Sequence, residues 1–214
     1  MPGLQSTGRD AMRNAVMALA GLGFVALAAA AIFLALKQPE GPISPAAVNV
    51  AGADIGGPFT LTDQTGARVT SAALIDGPTL IYFGYSSCPD VCPVDVAVMA
   101  SAVDLLAGQG FEVTPVFVTI DPARDTSEAL AGYAEAMHPG MIALTGTEAE
   151  IKTAADAYRV YYARGDLDDS AADYEMNHTT FTYFMMPDGL KALFRNNFPP
   201  EEMAGEIARI LRRD

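Results

Sequence analysis

The sequence predicts a mixed α/β domain, in which helices cover both faces of a central sheet, preceded by one transmembrane helix. Two observations predict the domain. First, half of the 214 residues are hydrophobic, which is enough to form a core. Second, strand-like apolar runs alternate with helical patterns over residues 58–214. A third observation, an apolar run without charged residues near the N-terminus, predicts the membrane helix.

The N-terminal residues have the pattern of a membrane anchor. Residues 1–13 are polar, with Arg9 and Arg13 close to the apolar run, and residues 15–36 carry no charge. A bilayer-spanning helix needs about 20 residues, so we predict a transmembrane helix over residues 14–36. The arginines before it favour a cytoplasmic N-terminus, and hence a single-pass protein of the inner (cytoplasmic) membrane whose domain lies in the periplasm. A cleavable signal peptide remains the alternative, because Ala-x-Ala triplets occur.

The first half of the remaining chain is predicted to be a tether followed by a hairpin and a strand–helix unit. Residues 37–57 are rich in proline and glycine and are predicted to be a flexible linker. The domain then covers residues 58–214. We predict a hairpin over 59–62 and 68–70, a buried strand over 79–83, a helix that follows Cys92 and ends near Gly108, and a strand over 111–120.

The second half continues the alternation. Two helix starts have the spacing of a capping box, Asp125 with Glu128 and Thr147 with Glu150. Either Asp125 or Thr126 would cap the first of these helices. An acidic loop over 164–177 follows, and it either steers a basic partner or is simply a solvated face. The predicted elements are helices to about 137, 158 and 213, and strands over 141–144, 179–186 and 190–195.

Cys88 and Cys92 are the only cysteines in the chain, and they lie where the strand 79–83 leads into a helix. First-turn N–H groups have no backbone partners, which favours a thiolate over a thiol. Four residues make about one helical turn, so both sulfurs can face one point, where they could form a disulfide or bind one soft metal ion. A purely structural disulfide is disfavoured, because so short a loop removes little entropy from the unfolded chain.

Two histidines could add a ligand. His178 precedes the strand 179–186, and with the cysteines it would give two sulfurs and one nitrogen, a set that suits copper better than four-coordinate zinc. By itself His178 could equally be a surface or capping residue. His138 precedes Pro139 at a predicted helix end, where capping is the favoured interpretation. Thioether ligation is less favoured than a place in the core for the methionines at positions 176, 185 and 186.

The formal net charge of −13 argues against nucleic acid and anionic membrane surfaces as partners, since both are polyanions.

Five motifs, in order along the domain, resemble the Sco/SenC family. They are residues 83–93 (Phe-Gly-Tyr…Cys-Pro-Asp-Val-Cys-Pro), 118–126, 144–147, 158–162 and 173–179 with Asn177-His178-Thr179. The resemblance implies a thioredoxin-like fold with an added N-terminal hairpin, and binding of copper, Cu(I) and Cu(II), by Cys88, Cys92 and His178. Many family members have Asp just before the histidine, where this chain has Asn177, and we expect this change to tune affinity or redox behaviour.

The resemblance leaves three functions to weigh. The favoured one is a copper metallochaperone that delivers copper to the binuclear site of cytochrome c oxidase subunit II or another copper-site protein. The second is a thiol–disulfide reductase, with Cys88 and Cys92 as the redox-active pair, that keeps the cysteines of that site reduced. The third is a redox or copper sensor. Enzymatic activity is therefore uncertain, and other periplasmic copper chaperones or thioredoxin-like reductants are further possible partners.

Overall fold

The structure is a computed structural model, and it describes residues 12–14, 17, 19, 47–48, 54–165 and 174–213. The chain divides into two units, Met1–Pro42 and Ile43–Asp214. In the first unit, Met12–Asn14, Met17 and Leu19 are helical. Most of the predicted transmembrane helix 14–36 lies outside the described residues. Among the residues that are described, no helix is both long enough and apolar enough to cross a membrane.

The second unit contains ten strands and five helices in its described part. In chain order they are β1 (Ala47–Val48), β2 (Thr60–Asp63), β3 (Arg68–Thr70), α1 (Ser71–Leu74), β4 (Thr79–Gly84), α2 (Val91–Ala107), β5 (Thr114–Thr119), α3 (Ser127–Met137), β6 (Ile142–Thr145), α4 (Glu148–Ala157), β7 (Tyr162–Arg164), β8 (Met176–His178), β9 (Phe181–Met186), β10 (Gly189–Arg195) and α5 (Pro200–Leu211).

Eight strands form one mixed sheet in the order β1-β10-β9-β4-β5-β6-β2-β3. The central strands β4, β5 and β6 are parallel, whereas β9 runs antiparallel to β4. All six residues of β4 are buried, and side chains of a strand alternate between its faces, so both faces of the sheet are covered. The predicted α/β class with a central sheet is confirmed, and β2 with β3 is the predicted hairpin.

Local capping explains where two helices begin. Thr147 accepts a hydrogen bond from the backbone N–H of Glu150, whose carboxylate accepts one from the Thr147 N–H, which completes the predicted capping box of α4. Helix α3 is capped by Thr126, whose hydroxyl accepts from the Ala129 N–H. The predicted box of Asp125 with Glu128 is wrong, because the Asp125 carboxylate turns inward and binds groups on two other segments.

Three elements were not predicted. Ala47–Val48 pairs antiparallel with β10, so the predicted flexible linker 37–57 contributes an edge strand to the sheet. Ser71–Leu74 forms a short helix capped by Thr70. The predicted loop 164–177 begins and ends in a separate two-stranded ribbon, β7 with β8, and its residues 166–173 lie outside the described part. His178 consequently ends β8, whereas the sequence placed it at the opening of the next strand.

Candidate metal and redox site

Three chain segments meet at one edge of the sheet because of the strand directions. The cysteine segment follows β4, and the segment that begins at Asp121 follows β5; since these strands are parallel, both segments leave at the same edge. Strand β9 is antiparallel to β4, with Tyr82 opposite Thr182, so the chain enters β9 at that same edge. The ribbon of β7 and β8, which ends at His178 just before β9, is thereby brought to the cysteines. We call it the histidine ribbon.

The two cysteines lie on either side of the start of α2. Cys88 precedes the helix and is half-buried, whereas Cys92 lies in its first turn and is fully buried. Neither is in a disulfide. Gly84, the last residue of β4, allows Cys92 to approach the strand: a Cβ at Gly84 would lie 3.1 Å from the Cys92 sulfur and 2.9 Å from the Tyr82 ring.

His178 points its Nε2 atom at Cys92, with an Nε2–Sγ distance of 3.2 Å. Its Nδ1 atom lies 2.9 Å from the carbonyl oxygen of Thr179. A carbonyl only accepts, so Nδ1 carries the proton and Nε2 offers its lone pair toward the sulfur. The Thr179 carbonyl thus orients the imidazole, and Asn177, which we expect to tune affinity or redox behaviour, is exposed beside it.

Aromatic and acidic side chains enclose the imidazole. The rings of Tyr82 and Tyr85 are edge-on to His178, at centroid distances of 6.3 and 6.0 Å. The Tyr82 hydroxyl donates to the Asp95 carboxylate at 3.2 Å, and Asp95 also accepts from the Asn197 N–H. Burial lowers the pKa of His178 from its ordinary value, against the opposing effects of the Thr179 carbonyl and of Asp95. A neutral imidazole is the form that can bind a metal ion.

The two thiols differ in acidity. Partial burial disfavours the Cys88 thiolate, but hydrogen bonds from the backbone N–H groups of Asp90 and Cys92 outweigh it, and the pKa of Cys88 is lowered. Burial raises the pKa of Cys92 to about 12, with the neighbouring Cys88 thiol adding to the effect. The sequence argument that the helix start favours a thiolate therefore applies to Cys88, whereas burial overrides it at Cys92.

Asp125 holds the cysteine segment against the sheet. Its carboxylate is 1% exposed and accepts hydrogen bonds from the Ser86 backbone N–H at 2.9 Å, from the Ser86 hydroxyl and from the Thr119 hydroxyl at 2.6 Å. Thr145 donates to the Asp125 carbonyl at 2.7 Å. Because Ser86 lies two residues before Cys88, the buried carboxylate ties the thiol segment to β5, and the Asp125 carbonyl extends the link to β6.

A second anchor holds the chain just before the histidine. The Tyr174 hydroxyl donates to the Asp121 carboxylate at 2.6 Å, and Arg124 pairs with the same carboxylate through its Nε atom. Arg124 also donates to the Tyr174 carbonyl at 2.9 Å. Thus residues directly after β5 bind both ligand-bearing segments, Asp125 the cysteine side and Asp121 with Arg124 the histidine side.

The other candidate ligands lie elsewhere or at the rim. His138 ends α3, accepts from the Gly140 N–H through Nδ1 and approaches Asp104 to 3.5 Å, which fits the predicted capping role. Met185 is 3% exposed in the core, and Met186 packs against the core. Met176 differs, because it lines the same open pocket as Cys88 and His178, along with Tyr85 and Asn177.

Several residues that shape the site were not assigned to it from the sequence. Tyr82, Tyr85 and Asp95 surround the imidazole, and Asp125 and Tyr174 anchor the two segments. One signal was available for Asp125 and Tyr174, since both lie inside motifs quoted for the family resemblance. Their roles depend on contacts 39 and 53 residues apart in the chain, which periodicity cannot predict.

The fold and the site together define a thioredoxin-like protein with a Cys-x-x-x-Cys pair at the start of a helix and a histidine brought to it from a distant ribbon. The model of the SCO1/SenC family matches residues 48–212. The chain belongs to the SCO1/SenC family. It is 47% identical over 162 residues to Protein SenC of Rhodobacter capsulatus, an alignment that covers 75% of this chain and 72% of that protein. It is 42% identical over 156 residues to the mitochondrial Protein SCO1 homolog of Homo sapiens, covering 72% of this chain and 50% of that protein.

Solved structures with copper bound have the same fold. Arabidopsis thaliana ScoI with copper bound superimposes with a TM-score of 0.70 at 36% identity, covering 75% of this chain and 99% of that one. Bradyrhizobium japonicum ScoI with copper bound gives a TM-score of 0.65 at 38% identity, covering 72% of this chain and 98% of that one. These similarities confirm the predicted thioredoxin-like fold with its central mixed sheet.

Proposed function

We propose that this chain is a membrane-anchored copper metallochaperone that binds copper through Cys88, Cys92 and His178 and delivers it to the binuclear copper site of cytochrome c oxidase subunit II. The observation that carries the proposal is the 3.2 Å approach of the His178 Nε2 atom to the Cys92 sulfur, across 86 residues of sequence. Copper-bound relatives of the same fold support it.

Each of the three side chains has a definite part in holding the ion. Cys88, with its lowered pKa, supplies the first thiolate, and it lies at a pocket mouth open to solvent. Binding of the cation at Cys88 makes loss of the proton from Cys92 favourable, although burial alone raises the pKa of that thiol to about 12. The neutral imidazole adds a nitrogen, which makes the set suitable for Cu(II) as well as Cu(I).

Binding requires a small local closure. In the part of the chain that the structure describes, no three His, Cys, Asp or Glu side chains are gathered closely enough to hold a metal ion as they stand. The Cys92 sulfur lies 3.2 Å from the His178 Nε2 atom, and the two thiols are close enough to shift each other's pKa, so Cys92 is the shared neighbour of the other two groups. The ion would draw Cys88 and His178 toward one another, and release to a partner would reverse this by exchange of the exposed ligands first.

The first test is copper binding and transfer by the reduced chain. We expect one copper ion per chain, and transfer to the copper-free soluble domain of cytochrome c oxidase subunit II when the two are mixed. His178→Ala should weaken Cu(II) binding strongly, whereas His138→Ala, which changes the other histidine of the chain, should leave it unchanged. Equal copper affinity in the His178→Ala and parent chains would rule out this site.

The unequal thiols favour a second candidate, a thiol–disulfide reductase. The lowered pKa and partial exposure of Cys88 suit it to attack a partner disulfide, and the buried Cys92 would then attack Cys88 to release the reduced partner. Each turnover would convert this chain's two thiols to a disulfide and the partner's disulfide to two thiols. A Cys92→Ser variant should then accumulate a mixed disulfide through Cys88. Failure to trap any partner, with copper transfer intact, would favour delivery.

The cellular setting belongs to the same proposal. The apolar run at 15–36, with arginines before it, supports a single-pass anchor in the inner membrane and a periplasmic domain. A protease-accessibility assay on spheroplasts tests this: the domain should be digested from outside, while the N-terminal residues are protected. Protection of the domain would contradict the assignment.

A further inference from the structure

Tyr174 lies between two guanidinium groups, four residues before His178. The Cζ atoms of Arg124 and Arg164 are 3.7 and 3.6 Å from the centroid of its ring. Two of the chain's 13 Lys and Arg residues thus stack on one phenol, beside the candidate copper site. Cation–π contacts at such distances are attractive, and the attraction grows as the groups are desolvated.

Arg124 joins the two segments that carry the ligands. It donates to the Tyr174 carbonyl on the histidine side, and its Cζ atom is 5.4 Å from the ring of Tyr85, three residues before Cys88. The Asp121 carboxylate, in a residue that is 3% exposed, forms an ion pair with Arg124 and accepts a hydrogen bond from the Tyr174 hydroxyl. We call Asp121, Arg124, Arg164 and Tyr174 the arginine–tyrosine cluster.

The histidine ribbon depends on contacts of this kind. In the part of the chain that the structure describes, strands β7 and β8 pair only with each other, over three residues each, and do not join the main sheet. An isolated two-stranded hairpin is marginally stable at best in water. The ladder is extended by Gly165 N–H to Glu175 and Thr179 N–H to Tyr161, both of which stay within the ribbon. Docking of the ribbon against the rest of the domain therefore depends on side chains. Tyr162 and Met176 pack against the core, and the arginine–tyrosine cluster adds polar contacts around the buried Asp121 carboxylate.

We propose that the arginine–tyrosine cluster is the latch that positions His178 over the cysteines, and that Tyr174 is its central residue. This rests on the proposed function, because the latch matters for copper only if His178 is a ligand. When the latch is closed, the imidazole completes a three-ligand set that accepts Cu(II) and Cu(I). When it opens, the two thiolates remain, and they satisfy Cu(I) alone. The cluster thereby sets the preference between the two ions and controls the ligand that leaves first during transfer.

The test compares Tyr174→Leu with Tyr161→Leu in the full-length chain. Tyr161→Leu is the control, because it makes the same chemical change next to the same ribbon at a side chain that is 67% exposed. Amide hydrogen exchange over 174–179 is measured in the copper-free protein, and Cu(II) and Cu(I) affinities are measured separately, with nitrogen hyperfine coupling to copper as the signature of bound His178. We expect Tyr174→Leu to speed exchange and to weaken Cu(II) binding by at least about tenfold, because it removes two cation–π contacts and the hydrogen bond to Asp121, with a smaller change for Cu(I).

Two milder variants should give intermediate effects. Tyr174→Phe loses only the hydrogen bond to Asp121, and Arg164→Gln loses one of the two cation–π contacts. They provide the test if Tyr174→Leu does not fold. Exchange rates and Cu(II) binding in the Tyr174 variants equal to those of Tyr161→Leu would overturn the latch, as would an equal loss of both copper ions. If the parent chain binds no copper, the proposed function fails, while the exchange comparison still decides whether Tyr174 holds the ribbon.

Discussion

Cys88 and Cys92 are only four residues apart, on either side of the start of α2, yet their surroundings give them different chemistry. Backbone N–H groups from Asp90 and Cys92 itself point at Cys88, whereas Cys92 is packed under β4 against Tyr82. Hydrogen bonds to a thiolate lower its pKa, and burial without a countercharge raises it. The pair therefore consists of one reactive thiol at the surface and one protected thiol beneath it.

This difference predicts unequal alkylation. In the reduced, copper-free protein at neutral pH, iodoacetamide should modify Cys88 at least about tenfold faster than Cys92, because the thiolate is the nucleophile and Cys92 is buried. Quenched time points analysed by peptide mass spectrometry give both rates in one experiment. In a urea-unfolded sample the two rates should become similar. Comparable rates in the folded protein would contradict the assignment of the reactive thiol.

Gly84 predicts a packing effect on the same thiol. Gly84→Ala places a methyl group 2.9–3.1 Å from the Tyr82 ring, the Cys92 sulfur and the Phe117 ring, so something must shift. We expect a loss of about 1–3 kcal/mol in the free energy of unfolding, the usual cost of overpacking, together with weaker copper binding. Gly132→Ala is the matched control, since nothing lies within 4 Å of its added methyl and it sits in a helix. Urea unfolding of both variants checks this, and equal stabilities would refute it.

The segment 121–126 after β5 is the element that organises the site. Asp121 accepts a hydrogen bond from Tyr174, just before β8, and Asp125 accepts one from Ser86 in the cysteine segment. Thr126 caps the start of α3. A segment of six residues thus orients two ligand-bearing segments that are distant in the sequence but lie at the same edge of the sheet. Buried carboxylates of this kind are fully hydrogen-bonded, and removing one leaves several donors without a partner.

Asp125 therefore predicts a large effect from a single substitution. Asp125→Ala should lower the free energy of unfolding by about 2–4 kcal/mol, because the partly buried Ser86 N–H and the buried Thr119 hydroxyl lose a charged acceptor. Glu128→Gln, at the other end of the falsely predicted capping box, should change it by no more than about 0.5 kcal/mol. Chemical unfolding of the two variants provides the measurement. Equal effects would restore the capping-box interpretation.

Over the whole domain, buried weak acids make the fold sensitive to alkali. Cys92, Tyr82, Tyr158 and Tyr183 are all 2% exposed or less, and burial raises the pKa of each. A group whose pKa is raised by folding binds its proton more tightly in the folded state. Its contribution to stability is present below the pKa of the unfolded chain and is lost as the pH rises toward the folded pKa.

We accordingly predict that the stability of the copper-free, reduced protein falls above pH 9. Between the ordinary pKa of 9.0 and the folded value of about 12, Cys92 alone contributes a slope of about 1.4 kcal/mol per pH unit. Cys88 does not add to this slope, since its lowered pKa acts below pH 9. Urea unfolding at a series of pH values should show a shallower slope in Cys92→Ala. A slope unaffected by that substitution would show that Cys92 is not protonated in its buried position.

The parts of the molecule that the sequence predicts are those governed by local pattern. The β4 run is buried throughout, the Thr147–Glu150 box forms as its spacing indicates, and the strand-to-helix position of the cysteines is correct. Asp125 shows the limit, because its spacing to Glu128 satisfies a helix-start pattern while the partners of its carboxylate are Ser86, after β4, and Thr119 in β5. The histidine ribbon shows another, since its strands have only three residues and no period long enough to detect.

The most direct measurement is a spectroscopic titration of the reduced protein with Cu(II), followed by thiolate-to-copper charge-transfer absorption and by nitrogen hyperfine coupling. We expect a charge-transfer band that saturates at one ion and is lost in Cys88→Ser and Cys92→Ser. In His178→Ala the band should need much more Cu(II) to appear and should lack the nitrogen coupling. The same band and the same nitrogen coupling in His178→Ala as in the parent protein would contradict the three-ligand site.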